Sequence, residues 1–242
     1  MVIMNKEVDE MSNYQEVYQK TELFQSIKAE DLTGLLECLG SRTVTYNKGD
    51  YLWSVGDYIV NVGIVLEGKL QIFRDDALGN RSILAEINPA QMFGEAFICA
   101  GLKCSPVTVM AVTDCSVLFI NIERMLTVCT VACMFHNQIV RNLLKIVANK
   151  NIELNQKNSL LSQRSTRDKL MAFFYFQMGK TNSKQFEISF NRSELADYLC
   201  VDRSALSREL SKLQDEGVIA YNKNQFEVRV EGMLGEHYEQ ER

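Results

Sequence analysis

The feature that most restricts the fold is a run of β-prone segments between residues 43 and 120, separated by glycine-containing turns. The segments are rich in β-branched and aromatic residues, and the turns fall at Gly49, Gly56, Gly68 and Gly79. Only 2 prolines occur in the 242 residues, so glycine has to supply the tight turns. Many short strands joined in this way favour antiparallel pairing, and the run predicts a closed β-roll or barrel.

The pattern changes after about residue 130, where apolar residues recur every seven positions. The repeat consists of Val140, Val147, Leu154 and Leu161, with Leu143 four residues before Val147. This spacing predicts a long helix whose apolar seam pairs with a second copy of the chain. Packing of the helix along its own domain is the alternative. Lys150 and Lys157, at the intervening positions of the repeat, weaken the dimer pattern.

Three helices are predicted in the C-terminal part of the chain, of which the last two are short. Helix starts are marked by Ser165 followed by Asp168 and by Asn191 followed by Glu194. The stretch LADYLCVDRSALSREL, residues 195–210, interrupts its helical leucine spacing at Cys200-Val201, and Asp202 can then cap a new helix. Two helices joined by a tight turn form a helix-turn-helix, whose second helix lies in the major groove of DNA.

The second helix of the predicted helix-turn-helix has an inner and an outer face. Leu206, Leu210 and Leu213 would be buried, which leaves four polar side chains outward: Arg203, Ser204, Ser207 and Arg208. Arginine offers a bidentate donor fork to guanine, and serine can donate or accept. The segment AYNKNQFEVRV that follows alternates polar and apolar residues and predicts a β-hairpin wing.

These features together resemble the Crp/Fnr family, the cyclic-AMP receptor protein and FNR regulators of bacterial transcription. The resemblance rests on the glycine-punctuated roll, the FGE motif at residues 93–95, the long helix and the stretch VDRSALSRELSKLQDEGVI. It implies an α+β fold: a cyclic-nucleotide-binding-like β-roll in residues 1–131, a dimerisation helix in 132–163 and a winged helix-turn-helix in 164–242. It also implies base contacts by Arg203, Ser204 and Arg208, a phosphate contact by Arg192, and RNA polymerase as a partner.

The resemblance predicts that the roll does not bind cyclic AMP. Relatives that bind cyclic AMP hold its ribose with the glutamate of FGE and its phosphate with a later Arg-Ser or Arg-Thr pair. Ser105-Pro106 stands at that place, and Lys103 is a flexible point charge that does not reproduce an arginine fork. The sequence therefore predicts an unidentified small effector, or none. The candidate pocket comprises Phe93, Gly94, Glu95, Lys103 and Ser105.

No metal, cofactor or catalytic group is expected. The 7 cysteines are scattered, with Cys38 alone before residue 99, so an FNR-type cysteine cluster is not predicted. Buried, inert thiols are the prediction, although Cys129 with Cys133 or Cys99 with Cys104 leaves a thiol-metal or redox site as an alternative. His136, the histidine near the long helix, is predicted to cap or pack rather than to bind haem. No nucleophile-base pair or paired carboxylates occur at a usable spacing, so an enzyme is not expected.

The composition agrees with a protein that binds DNA at specific sequences. A net charge of -5 argues against nonspecific coating of nucleic acid. No apolar run approaches the roughly 20 residues that cross a bilayer, so the sequence predicts a cytoplasmic protein without a membrane partner. Two functions stay open. The first is a homodimeric regulator of palindromic double-stranded DNA, which the DRSALSR face favours. The second is a ligand-binding module that acts through protein-protein contacts.

Overall fold

The structure is a computed structural model that describes residues 13–126 and 134–229. Its helices are α1 Gln15–Lys20, α2 Ala29–Cys38, α3 Glu95–Cys99, α4 Ile122–Leu126, α5 Met134–Leu161, α6 Thr166–Thr181, α7 Arg192–Leu199 and α8 Arg203–Asp215, with a 3₁₀ turn at Glu22–Phe24. Its strands are β1 Arg42–Tyr46, β2 Tyr51–Trp53, β3 Asn61–Glu67, β4 Leu70–Asp75, β5 Arg81–Ile87, β6 Met92–Phe93, β7 Thr108–Ala111, β8 Cys115–Asn121, β9 Gln185–Glu187, β10 Ile219–Asn222 and β11 Gln225–Val228.

The strands predicted between residues 43 and 120 form two antiparallel four-stranded sheets. Their strand orders are β1-β8-β3-β6 and β2-β7-β4-β5. The two sheets enclose a core that includes Val65, Leu70, Val109, Val117 and Phe119, all buried. The sheets are packed rather than hydrogen-bonded to each other, so the predicted roll is confirmed and the barrel alternative is not.

Helices cover the outer side of the first sheet, and α1 and α2 were not predicted. Leu35 and Leu36 of α2 pack into one apolar cluster with Ile64 and Leu118 of that sheet. The first half of α5 joins the same cluster through Ile139, Leu143 and Ile146, which are all buried. The alternative of a helix packed along its own domain therefore holds for this half of α5.

One side chain of α5 also replaces missing hydrogen bonds at the N-terminal segment. The amide of Asn142, itself buried, donates to the carbonyls of Leu23 and Gln25 at 2.8 and 2.9 Å. These carbonyls lie where the chain leaves the 3₁₀ turn, and unpaired buried carbonyls are costly. Asn142 thus fixes the N-terminal segment on the long helix.

The chain divides into two compact units, residues 1–153 and 154–242, with the division inside α5. The C-terminal unit contains α6, α7, α8 and a three-stranded sheet in the order β10-β11-β9. Its core is aromatic, with the rings of Phe174 and Phe226 5.1 Å apart. The predicted winged helix-turn-helix is thereby confirmed, with β9 as a third strand that the sequence did not indicate. None of the helices in residues 13–126 and 134–229 is long and apolar enough to cross a membrane.

The prediction of buried thiols is wrong for most of the described cysteines. Cys115 is buried in β8, but Cys38, Cys99, Cys104 and Cys200 are exposed. Cys38 and Cys99 end helices, Cys104 forms an isolated β-bridge with Tyr58, and Cys200 lies in the turn before α8, so none of the four lies inside a sheet. The spaced pair Cys129 and Cys133 lies outside the described residues.

Candidate functional site

The first helix of the helix-turn-helix, α7, begins with the predicted capping box. The Asn191 side chain accepts from the amides of Ser193 and Glu194, and the Glu194 carboxylate accepts from the Asn191 amide at 2.7 Å. The signal at Ser165 is only partly realised. Its hydroxyl accepts from the Asp168 amide, but the Asp168 carboxylate accepts the Ser165 hydroxyl and not its amide. Both helices begin where the sequence predicts.

The turn between α7 and α8 depends on Cys200, which adopts a left-handed conformation with φ 51° and ψ 57°. A non-glycine residue is strained in this region. The ammonium of Lys169 offsets part of that cost, because it donates to the carbonyls of Leu199 and Cys200 at 3.2 and 3.4 Å. These carbonyls end α7 and lack partners within the helix. The sequence predicted the turn, but not Lys169 as its cap.

Asp202 starts α8 as predicted. Its carboxylate accepts from the amides of Ser204 and Ala205 at 2.8 and 3.0 Å, and from the Ser204 hydroxyl. These hydrogen bonds, led by that of the Ser204 hydroxyl, and the charge of Arg208 lower the pKa of Asp202. The cap therefore stays ionised at neutral pH and holds the first turn of α8.

The outer face of α8 carries the residues that the sequence selected. Leu206, Leu210 and Leu213 are fully buried on the inner face. The outward residues are Arg203, Ser204, Ser207 and Arg208, all exposed. Ser211, one turn after Ser207, is exposed on the same face and was missed, although its spacing of four residues gave the signal. This face has no apolar residue and presents two guanidinium groups.

An ion-pair cluster joins α8 to α6. Arg167, in the first turn of α6, pairs with Glu216 at 2.5 Å and with Glu209 at 3.4 Å. Hydrogen bonds and the charge of Arg167 lower the pKa of Glu216. Sequence reasoning missed this cluster, because Arg167 lies more than 40 positions before both glutamates and only the fold brings them together.

Arg192, the predicted phosphate contact, packs against the wing. Its guanidinium stacks on the rings of Tyr221 and Phe226, with centroid distances of 4.7 and 5.2 Å, and donates to the Lys223 carbonyl at 2.9 Å. Its Nη1 is buried without a hydrogen-bond partner, and burial lowers the pKa of Arg192. The helix start and the two wing strands converge on it. Arg192 therefore holds the wing to α7, and its phosphate contact stays a prediction.

The wing presents a different cation. The β10–β11 hairpin turns at Lys223, whose φ is 54°, and the pair Asn222 with Gln225 closes the ladder. Lys223 is exposed at the tip. Since its carbonyl is fixed by Arg192, the ammonium extends from an anchored backbone. The sequence predicted this hairpin and its position but not the role of its lysine.

A second lysine without an assigned role lies at the C-terminal end of α5. Lys157 lies 3.8 Å from the ring centroid of Tyr198, which itself packs against Phe173 and Phe190. Burial lowers the pKa of Lys157 to about 8. The heptad pattern had treated Lys157 as a flaw in a dimer seam, whereas here it packs within the C-terminal unit.

Lys157 should make the stability of the C-terminal unit depend on pH. Below pH 8 the lysine is charged in both folded and unfolded chains, so the cost of burying its charge is fully present. Between about pH 8 and its usual pKa of 10.5, the folded chain releases the proton first and the cost disappears. The free energy of unfolding of wild type relative to Lys157→Met should therefore rise by about 2 to 3 kcal/mol from pH 7 to pH 10.

Urea titrations at both pH values measure that difference. Lys180→Met is the matched control, because Lys180 also lies over a ring, that of Phe176, but is exposed. The difference in free energy of unfolding between Lys180→Met and wild type should be the same at both pH values. If the difference between Lys157→Met and wild type is also the same at both pH values, Lys157 keeps its charge in the folded chain.

The roll interior shows how the FGE motif is packed. Phe93 is fully buried and its ring lies 4.9 Å from that of Trp53. Gly94 has φ 86°, and a Cβ there would lie 2.4 Å from Trp53 Cη2. Glycine is therefore required at this position for both backbone and space. Phe93 and Gly94, two residues of the candidate pocket, belong to the packed core.

Glu95, the third residue of the motif, is paired within the protein. It is 2% exposed, and its Oε1 lies 2.8 Å from the ammonium of Lys150 on α5. Lys150 also donates to the Met92 carbonyl. Glu95 Oε2 is buried and has no hydrogen-bond partner. The buried carboxylate of the roll thus takes its counter-charge from the long helix.

Among the described residues, no hydrogen bond or ion pair joins the other two pocket residues, Lys103 and Ser105, to Glu95. Ser105 is buried, and its hydroxyl donates to the Val107 carbonyl at 2.7 Å, so it is satisfied internally. Lys103 is exposed on the loop before it. The carbonyl of Pro106 accepts from Arg74 at 3.2 Å. The candidate pocket therefore stays a prediction.

His136 is buried near the start of α5, and its Nδ1 has no hydrogen-bond partner. It therefore packs, as one of the two predicted roles. Across the part of the chain that the structure describes, no three His, Cys, Asp or Glu side chains are grouped as metal ligands would be.

The predicted dimer seam on α5 divides between two faces. Leu143 is buried in the core of its own unit, and Val147 packs partly against it. Exposed apolar side chains lie on the adjacent face, with exposed fractions of 39% for Val140, 71% for Leu144 and 59% for Leu154. Leu161 is half-buried. The exposed stripe therefore continues the predicted spacing but replaces Leu143 by Leu144.

Comparison with known proteins agrees with this architecture. A cyclic nucleotide-binding domain matches residues 43–131, and a Crp-like helix-turn-helix domain matches residues 168–234. The transcriptional activator protein Anr of Pseudomonas protegens is 26% identical over 81% of this chain and 79% of its own. The cyclic AMP receptor protein of Thermus thermophilus is 25% identical over 88% of this chain and 95% of its own.

A solved structure shares the fold at low identity. The c-di-GMP responsive global regulator CLP of Xanthomonas campestris superposes with a TM-score of 0.69 and 16% identity, over 84% of this chain and all of that chain. These matches define a transcription regulator with an N-terminal roll and a C-terminal DNA-binding domain. The chain belongs to the Crp/Fnr family of transcription regulators.

Proposed function

We propose that this protein is a homodimeric transcription regulator that binds a palindromic DNA site through α8 and does not respond to cyclic AMP. The observation that carries the proposal is the exposed face of α8, where two arginines and two serines stand on a helix fixed from below by Arg167. A rigid helix with donors on one face suits the major groove. The absence of any nucleophile-base arrangement in the sequence, and relatives named as transcriptional activators, favour a regulator over an enzyme.

The α8 residues divide the work of recognition in this proposal. Arg203 and Arg208 offer bidentate forks to guanine, because both guanidinium groups are exposed. Ser204 gives its hydroxyl proton to Asp202, so it is available to a base as an acceptor. An acceptor suits the amino groups of cytosine or adenine. Ser207, one turn on, completes the row.

The phosphate contact of this proposal is Lys223 rather than Arg192. Arg192 is occupied by two aromatic rings and a carbonyl, whereas Lys223 is exposed at the wing tip. A lysine on an anchored turn can pair with a phosphate without reading sequence. Arg192 acts indirectly, by holding that turn.

The dimer of this proposal uses the exposed stripe of Val140, Leu144 and Leu154. Pairing of this 28-residue helix with a second copy would remove these large apolar side chains from water. A two-fold axis along this stripe would give two recognition helices, as a palindrome requires. RNA polymerase as a further partner stays a prediction of the family resemblance.

The roll is proposed not to bind cyclic AMP, because Ser105-Pro106 stands where relatives that bind cyclic AMP have an Arg-Ser or Arg-Thr pair, and the Ser105 hydroxyl donates to the Val107 carbonyl. The guanidinium at this loop comes from Arg74 and donates to the Pro106 carbonyl. A cyclic phosphate would therefore lack the paired arginine and serine donors of those relatives. The unidentified small effector that the sequence suggested stays a prediction.

Selection of binding sites from random double-stranded DNA tests the proposed function. The wild-type protein should enrich a two-fold symmetric sequence with half-sites centred roughly 34 Å apart, one turn of DNA. Enrichment of an asymmetric sequence would remove the dimer arrangement. If no sequence is enriched, the alternative function, a regulatory module that acts through protein-protein contacts, takes the place of the first.

A further inference from the structure

Among the described residues of the roll, Glu95 is a buried carboxylate whose charge is not balanced by a cation of the two sheets. Glu95 is 2% exposed at the start of α3 and is preceded by Gly94, which is pressed against Trp53. A carboxylate removed from water is costly unless a counter-charge and hydrogen bonds accompany it. At Glu95 the compensation comes from Lys150, which belongs to α5 and not to the roll.

The contacts of Lys150 tie two parts of the roll to the helix. Its ammonium lies 2.8 Å from Glu95 Oε1 and also donates to the Met92 carbonyl in β6. Glu95 Oε2 has no partner of its own, so without Lys150 neither carboxylate oxygen would be compensated by the contacts that the structure describes. The arrangement makes burial of Glu95 and docking of α5 depend on each other.

Lys150 lies near the end of the part of α5 that belongs to the N-terminal unit. Ile146 is the last buried residue of α5 within that unit, and Lys150 follows one helical turn later. Residues 151–156 are all exposed, and the division between the two compact units falls at residues 153 and 154. The ion pair therefore lies near the C-terminal end of the part of α5 that belongs to the N-terminal unit.

We propose that Lys150 is a built-in counter-ion that takes the place of an effector at Glu95, so that the roll holds the long helix, and the protein binds its operator, without an added small molecule. The second half of this statement rests on the proposed DNA-binding function. Here Lys150 is a positioning residue, which acts by holding α5 on the roll.

Lys150→Met tests the counter-ion, because it keeps the length of the side chain and removes the charge. In the full-length protein, amide hydrogens of α3 and of residues 144–153 should exchange about tenfold faster in Lys150→Met than in wild type, because the buried Glu95 carboxylate is left without its cation. Lys145→Met is the matched control. Lys145 is an exposed lysine on the same helix that donates to Gln25 at 3.4 Å, and its loss should leave exchange in these segments unchanged.

Charge compensation has its own signature. The double variant Glu95→Gln with Lys150→Met should exchange closer to wild type than Lys150→Met alone, because no uncompensated charge remains. Lys150→Arg should also stay near wild type. A packing role would instead make the double variant worse than either single change, and that result would overturn the counter-ion.

Operator binding is measured on protein refolded from denaturant, so that no small molecule is carried over. The refolded wild type should bind the selected operator as tightly as before, and millimolar cyclic AMP should change neither its affinity nor its melting temperature. Lys150→Met should bind at least about tenfold more weakly. Loss of binding on refolding with restoration by a small-molecule extract would overturn effector independence. If wild type binds no DNA but Lys150→Met still accelerates exchange, the proposed DNA function fails and the counter-ion stands.

Discussion

Arg208→Ala is expected to weaken operator binding by about 1 to 3 kcal/mol in each half-site and to relax the sequence preference at one base pair per half-site. The expectation follows from the exposed guanidinium on the outer face of α8, opposite to the buried leucines. Fluorescence anisotropy with the selected operator measures the loss. Because the helix keeps its core and its Asp202 cap, the variant should fold as wild type does.

Two other basic residues separate base recognition from charge. Lys212→Ala removes a cation one helical turn after Arg208, in the C-terminal half of the same helix, and should leave the sequence preference unchanged because bases are read by the N-terminal half of the recognition helix. Lys223→Ala should weaken binding to cognate and random DNA alike and make the salt dependence shallower by about one unit per lost phosphate contact. Equal losses for Arg208→Ala on cognate and random DNA would mean that α8 contacts the backbone and not the bases.

The double variant Leu144→Lys with Leu154→Lys is expected to be monomeric at concentrations at which wild type is a dimer. Both side chains are exposed in the isolated chain, at 71% and 59%, so lysine should leave the fold of each unit intact. In the proposed dimer they would bring like charges together in a buried seam, which is strongly unfavourable. Analytical ultracentrifugation measures the state, and operator binding should be lost with the dimer.

Ile152→Lys is the control for this change. Ile152 is 56% exposed on the same helix, but at 100° per residue it lies about a third of a turn from the stripe. It should remain a dimer and bind DNA normally. A dimeric double variant would show that the pairing surface lies elsewhere on the protein.

The sequence predicted most of what depends on local pattern. The capping box at Asn191, the turn at Cys200 and the inner leucines of α8 follow from spacing within a few residues, and all are present. The strands of the roll follow from their glycine turns in the same way. Such features are set by neighbours in sequence, so a single chain is enough to indicate them.

Features set by distant residues were missed or misplaced. Arg192 looked like an exposed helix-start cation until the wing supplied Tyr221 and Phe226 as stacking partners. Leu143 fitted the heptad as well as Leu144 does, and only the sheet behind it shows which one is buried. Lys150 looked like a flaw in the seam because its partner, Glu95, lies on another element. A one-residue rotation of a helix face cannot be settled by a repeat alone.

The central claim is that α8 recognises bases, and a double-mutant cycle across the protein and its DNA tests it most directly. Wild type and Arg208→Ala are titrated against the selected operator and against the same operator with one symmetric base-pair change at the position that Arg208→Ala relaxes. The account predicts that the base change costs wild type about 1 to 3 kcal/mol per half-site and costs Arg208→Ala almost nothing. A base change that costs both proteins the same at every position of the site would contradict base recognition by Arg208.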